Sequence, residues 1–136
     1  MGSKFAMVPP QTPVDQNGEG QKFDVSSSPT RTFLCTLLIT DVIEQESLDV
    51  AIWGSADGEN WGGKPLLMLP QRFYRGETRM VLDLTMQPEV KFIRAAWVLN
   101  RWGRVAPLPR FVFGLAVEEI SPLSRQGARQ AAALKA

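Results

Sequence analysis

The stretch that decides the fold runs from Leu48 to Trp61: Leu-Asp-Val-Ala-Ile-Trp-Gly-Ser-Ala-Asp-Gly-Glu-Asn-Trp. Its first half alternates. Leu48, Val50 and Ile52 fall on one face of an extended chain, and Asp49, Ala51 and Trp53 fall on the other. That period of two marks a half-buried strand. Gly54 and the Asp57-Gly58 pair then stop it, because Asp and Gly tolerate the positive φ of a tight turn. The Asp57 carboxylate is placed to accept backbone N–H groups inside that turn. Trp61 is expected to fold back and close the end of the core.

Working outward, the same pattern recurs. Arg31 to Val42 is apolar on both faces, with Phe33, Cys35, Leu37 and Ile39 on one and Leu34 and Leu38 on the other. Such a strand lies centrally in a sheet or is covered by another element. Thr78 to Leu84 turns Met80, Leu82 and Leu84 inward. Lys91 to Leu99 sets Ile93, Ala95, Trp97 and Leu99 against Phe92, Arg94, Ala96 and Val98. Phe111 to Val117 places Phe111, Phe113, Leu115 and Val117 on one face. Phe23 to Val25 and Lys64 to Leu69 read as short edge strands, the latter confined by Pro65 and Pro70. About six to eight short strands separated by turn signals, with no helix between them, predict an antiparallel β-sandwich.

The ends read differently. Residues 1–28 carry Pro9, Pro10, Pro13, Gly18 and Gly20 and read as an extended arm, in which Phe5, Met7, Val8 and Val14 are the side chains able to dock on another surface. Residues 29–121 hold the sandwich. Residues 122–136 end in an alanine-rich run that reads as a short helix, with Ser124 as N-cap and Lys135 suited to the C-terminal end of the helix dipole.

Composition removes several functions. The chain has 136 residues, with 15 Lys+Arg against 14 Asp+Glu. That balance leaves no electrostatic footprint for nucleic acid. Apolar runs fall short of the ~18 residues that span a bilayer, and no signal-peptide pattern opens the chain. The expectation is a soluble protein made in the cytoplasm, with a virion or released particle as its destination. Histidine is absent, and with it the commonest general base and transition-metal ligand. Cys35 is the one cysteine, sits in an apolar strand and reads as a small buried hydrophobe. No cofactor and no metal are expected.

Ser55-Ala56-Asp57-Gly58-Glu59-Asn60-Trp61 resembles the Ser-x-Asp-Gly-x-x-Trp turn of the discoidin-like (coagulation factor 5/8 C-type) β-sandwich family and related jelly-roll modules. Phe92-Ile93-Arg94 matches a later aromatic-aliphatic-Arg strand of that family, and Phe111 to Val117 matches its closing strand. The resemblance covers about Thr32 to Glu119, and similar cores occur in bacteriophage virion proteins. It implies a jelly-roll or discoidin-like sandwich. The disulfide that ties the termini of discoidin-like domains is missing, since only Cys35 exists.

Chemical constellations are few. Calcium at Asp57, Glu59 and Asn60 is disfavoured, because calcium takes about 6–8 oxygens. Three close carboxylate pairs, Glu44/Glu46, Asp57/Glu59 and Glu118/Glu119, read as solvated turn or strand-end groups rather than as a catalytic pair. The Arg101-Trp102-Gly103-Arg104 loop combines residue types typical of interface hot spots, against the plainer reading of a tryptophan packed over the sandwich end. The resulting expectation is a non-enzymatic structural subunit of a homomeric assembly. Phe5, Met7, Val8 and Val14 would dock on copies of itself or other subunits, with Trp53, Trp102 and Arg104 as hot spots. The alternative is a carbohydrate- or surface-binding module using Trp61, Tyr74 and Trp102.

Overall fold

The computed structural model describes residues 4–42, 46–101 and 110–121. Among them run nine strands: β1 (Lys4–Val14), β2 (Gly18–Glu19), β3 (Phe23–Asp24), β4 (Thr32–Val42), β5 (Glu46–Ser55), β6 (Leu67–Met68), β7 (Gly76–Asp83), β8 (Phe92–Arg101) and β9 (Phe111–Glu119). They form two antiparallel sheets, one ordered β1-β9-β4-β7 and the other β2-β8-β5-β6, with β3 also paired to β8.

The pairing is nested. Because β2 and β3 both lie along β8, they are two pieces of one broken strand. First then pairs with last (β1 with β9), second with second-last (β2/β3 with β8), β4 with β7, and β5 with β6. A long hairpin rolled so that β9 meets β4 and β8 meets β5 is the jelly-roll arrangement, one of the ways an all-β chain limits its open edges.

The alternation read from the sequence sets the core. Leu48, Val50 and Ile52 of β5 are fully buried, as are Ile93 and Ala95 of β8. From the other sheet come Phe33, Cys35, Leu37 and Ile39 of β4 and Phe111, Phe113, Leu115 and Val117 of β9. Burial of each large apolar side chain contributes about 1.5–3 kcal/mol. The Trp97 ring meets Phe113 edge-on with centroids 5.7 Å apart, bridging the two sheets. β4 is central, between β9 and β7; its Phe33 set faces the core, while Leu34 and Leu38 stand on the outer face, Leu38 exposed.

Residues 4–24, expected as an arm, are strands of the roll. β1 closes one edge of its sheet against β9 of the same chain, and Met7 and Val8 are buried in the core. Phe5 and Val14 pack against that core, with the Phe5 ring stacked on Phe23 at 4.8 Å. The physical reason is the edge position. An edge strand leaves one row of N–H groups unused, so Pro9, Pro10 and Pro13 are tolerated there. Between Val8 and Thr12 the register shifts, and the segment arches past Gly114, where a Cβ would stand 2.8 Å from Pro10 Cα. The helix expected within residues 122–136 lies outside the described residues.

Candidate functional site

The strand–turn unit at the centre of the sequence builds one side of a recess that combines tryptophans with an arginine and a carboxylate. Ser55 and Asp57 lock the turn after β5. Asp57 Oδ1 accepts the N–H groups of Asn60 and Glu59 and the Ser55 hydroxyl, each at 2.9 Å. Ser55 Oγ accepts the N–H of Gly58 at 2.9 Å. These donors, Asn60 N–H foremost, hold the Asp57 carboxyl down at about 2. Gly58 supplies the left-handed φ of +79°, which costs an ordinary L-residue about 1–2 kcal/mol. Asp57 and Gly58 therefore form an Asx-type turn, and the Asp57 oxygen is spent on it.

Trp61 leaves that turn in a direction the sequence did not disclose. It does not close the core. Its ring lies over the guanidinium of Arg94, 4.3 Å from centroid to Cζ. Arg94 alternates with the buried Ile93 and Ala95, so this contact is on the outer face of the β8–β5 sheet. Trp53, on the outward set of β5, is the cross-strand neighbour of Arg94. Arg94 Nη2 also pairs with the Glu19 carboxylate of β2. Trp53, Trp61, Arg94, Glu19, Trp97 and Val98 line a shallow, open recess of about 490 Å³.

The energetics of that cluster are near balance. Arg94 Nε is the one buried side-chain polar atom among the described residues without a hydrogen-bond partner. Leaving such a donor unpaired costs about 1–3 kcal/mol. Its stack on Trp61 returns about 0.5–2 kcal/mol, and the part-exposed ion pair with Glu19 at most about 1 kcal/mol. The cluster thus adds little to the stability of the fold.

Two carboxylates overturn the solvated reading. Glu46 is buried and accepts the Arg110 N–H through both oxygens, at 3.0 and 2.8 Å. Glu119 is buried and its Oε2 accepts the hydroxyls of Ser28 (2.5 Å) and Thr30 (2.8 Å) and the Thr30 N–H (3.1 Å). Both tie distant chain segments to strand ends. Cys35 is fully buried, and desolvation pushes its thiol up to about 12. No group of three or more His, Cys, Asp or Glu able to hold a metal occurs among the described residues.

The remaining expected residues separate. Tyr74 is exposed and lines a different hollow from Trp61, beside Ile39 and Arg72. Trp102 and Arg104 lie outside the described residues. Arg94 entered the sequence reading only within the Phe92-Ile93-Arg94 strand match, and Glu19 was not singled out. The usable signal was the pairing of two outward sets, Trp53 on one strand and Arg94 on the next.

The molecule is a two-sheet antiparallel β-sandwich of jelly-roll topology. Solved structures sharing the fold include infectious bursal disease virus, Gx strain (TM-score 0.51, 11% identity, 87% of this chain and 32% of that one). Another is the infectious bursal disease virus VP2 subviral particle (TM-score 0.50, 10% identity, with the same coverages). The chain spans about a third of the length of those chains. No protein-family model and no curated protein sequence matches it. The discoidin-like reading gains no support from these neighbours, whereas the jelly-roll reading agrees with the strand order.

Proposed function

We propose that the chain is a non-enzymatic structural subunit of a larger homomeric assembly, of the particle or virion kind. The observation that carries this reading is the roll itself: every sheet edge is blunted, while apolar side chains stand on the outer faces. Leu38 and Val98 are each 45% exposed and Met68 is 54% exposed. The fold shared with chains of a viral particle supports the same reading. Contacts between copies run through side chains on those faces and through the segments carrying Trp102 and Arg104. Trp53, recessed on its sheet, is the least suited of the three to that role. Residues 4–14 serve assembly by exchange. A β1 strand swapped onto the β9 of a neighbour keeps each pairing, Val8 opposite Leu115 included.

Light scattering of the full chain over a wide concentration range tests this. A species well above the 15.1 kDa of one chain is expected. A monomer at all concentrations refutes it.

A further inference from the structure

We propose that the recess on the outer face of the β8–β5 sheet is a binding site for a neutral saccharide, with Trp53 and Trp61 as its stacking surfaces. Three observations converge there.

First, the aromatic groups are built outward. Trp97, on the same strand as Arg94 but on the opposite set, packs against the core ring of Phe113. Trp61 instead stands over Arg94, and Trp53 is the cross-strand neighbour of Arg94 on the same recess, neither ring being part of the core cluster. Large aromatic rings left half-buried on a sheet face offer an apolar surface of the kind a pyranose covers with its C–H face.

Second, the ring is held in place before any ligand arrives. Trp61 rests on Arg94, Arg94 is held by Glu19, and the turn that delivers Trp61 is fixed by Asp57 and Ser55. Preorganisation of this kind lowers the ordering cost of binding. It is achieved with a buried Arg94 Nε left unpaired, a local violation that the fold does not need and that marks functional sites.

Third, the polar groups match. Glu19 is part-exposed beside Arg94 and offers carboxylate acceptors, and Asn17 lines the rim with its amide. Asn17 Oδ1 accepts the Leu99 N–H at 2.8 Å, so its NH2 end is directed away from that bond. Acceptors and donors around an aromatic floor suit ring hydroxyls. The pairing of Glu19 with Arg94 leaves no net charge for an acidic or basic ligand. The recess is shallow and open, a shape that meets one face of a sugar ring. Trp53 then serves the ligand, and contacts between copies fall elsewhere.

The test uses the full chain, titrated with cellopentaose, maltopentaose and chitopentaose by isothermal calorimetry, with tryptophan emission followed in parallel. Saturable heat and a saturable emission change are expected for at least one sugar. Trp61→Ala should weaken that binding about tenfold or more, while Met86→Ala, on an exposed turn, should leave it unchanged. No saturable signal with any of the three sugars, or one that Trp61→Ala retains in full, overturns the proposal. So does a Trp61→Ala protein that loses assembly size while the wild type ignores every sugar, which assigns the recess to a protein contact. Because heat and emission are read at any particle size, failure of this test is separable from that of the assembly reading.

Discussion

Replacing Gly114 with alanine tests whether residues 4–14 belong to this roll. Gly114 pairs with Leu38 of β4 on one side, and on the other β1 arches past it between Val8 and Thr12. A Cβ there would lie 2.8 Å from Pro10 Cα and 3.2 Å from both Pro10 N and Pro9 O. All three are backbone atoms, and Pro10 has a fixed φ, so none can rotate away. Gln11 already holds a φ of 57° within the arch, which leaves it little slack. Two responses are open. If β1 detaches, Met7 and Val8 lose burial, about 1.5–3 kcal/mol each. If it stays, the overpacking strain is about 1–3 kcal/mol, offset by about 0.5–1 kcal/mol because alanine suits an extended strand better than glycine. Staying is cheaper. Gly114→Ala is therefore expected to destabilise by up to about 2.5 kcal/mol, about 1 kcal/mol in the middle of that range, read as a lower urea midpoint with an unchanged slope. Gly63→Ala, with no heavy atom within 4 Å, is the control and should stay within about 0.5 kcal/mol of wild type. A Gly114→Ala protein at least as stable as wild type would refute the packing of β1 over β9.

The Asp57 turn predicts a pH signature. Its folded pKa, about 2, lies below the ordinary 3.8. Its stabilisation is thus fully present above 3.8 and is lost as pH falls through 3.8 toward 2. Thermal melts of Asp57→Asn should be less acid-sensitive than wild type in that window and parallel to it at neutral pH, and identical acid profiles would contradict the turn. Cys35, with its thiol raised to about 12 and fully buried, should ignore a thiol-reactive disulfide reagent at pH near 8, where a free thiol reacts. One equivalent should appear only once urea unfolds the chain, and fast labelling in native buffer would contradict its place in the core.

What the sequence disclosed was local. In β5 and β9 alternation separates an apolar set that is part of the core, and of the set expected inward after Thr78, Leu82 and Leu84 are core residues while Met80 packs against it; in β4 and β8 alternation divides the residues into two sets without saying which faces in. What it withheld depends on distant partners. Pro9, Pro10 and Pro13 signal extended chain, but only the position of β1 at a sheet edge makes them compatible with a ladder. Glu46 and Glu119 look like solvated strand-end groups until Arg110, Ser28 and Thr30 arrive from 64 to 91 residues away. The turn at Asp57–Gly58 was legible because its donors lie within three residues. The destination of Trp61 was not, because it rests on Arg94 from a strand 33 positions later.

The edges and the faces of the roll divide its possible interactions. A partner can join a sheet through its backbone only at an open, regular edge. Here β1 carries three prolines on one edge. β7 carries the charged pair Glu77 and Arg79, 3.1 Å apart, on the other edge of that sheet. In the second sheet β6 is two residues long between Pro65 and Pro70, and the opposite edge is broken into β2 and β3. Strand addition is thereby discouraged on every side, and recognition passes to side chains. The two outer faces then differ in kind. Over the β9–β4 pair stand Leu34, Leu38 and Ala116, with Thr36 and Thr40 among them and the Lys4–Glu118 ion pair beside them, a mixed surface without a tryptophan, suited to packing against a like surface. Over the β8–β5 pair stand tryptophans braced by an arginine and a carboxylate, a surface that fixes orientation as well as area. An assembly built through the first face leaves the second free to meet something else.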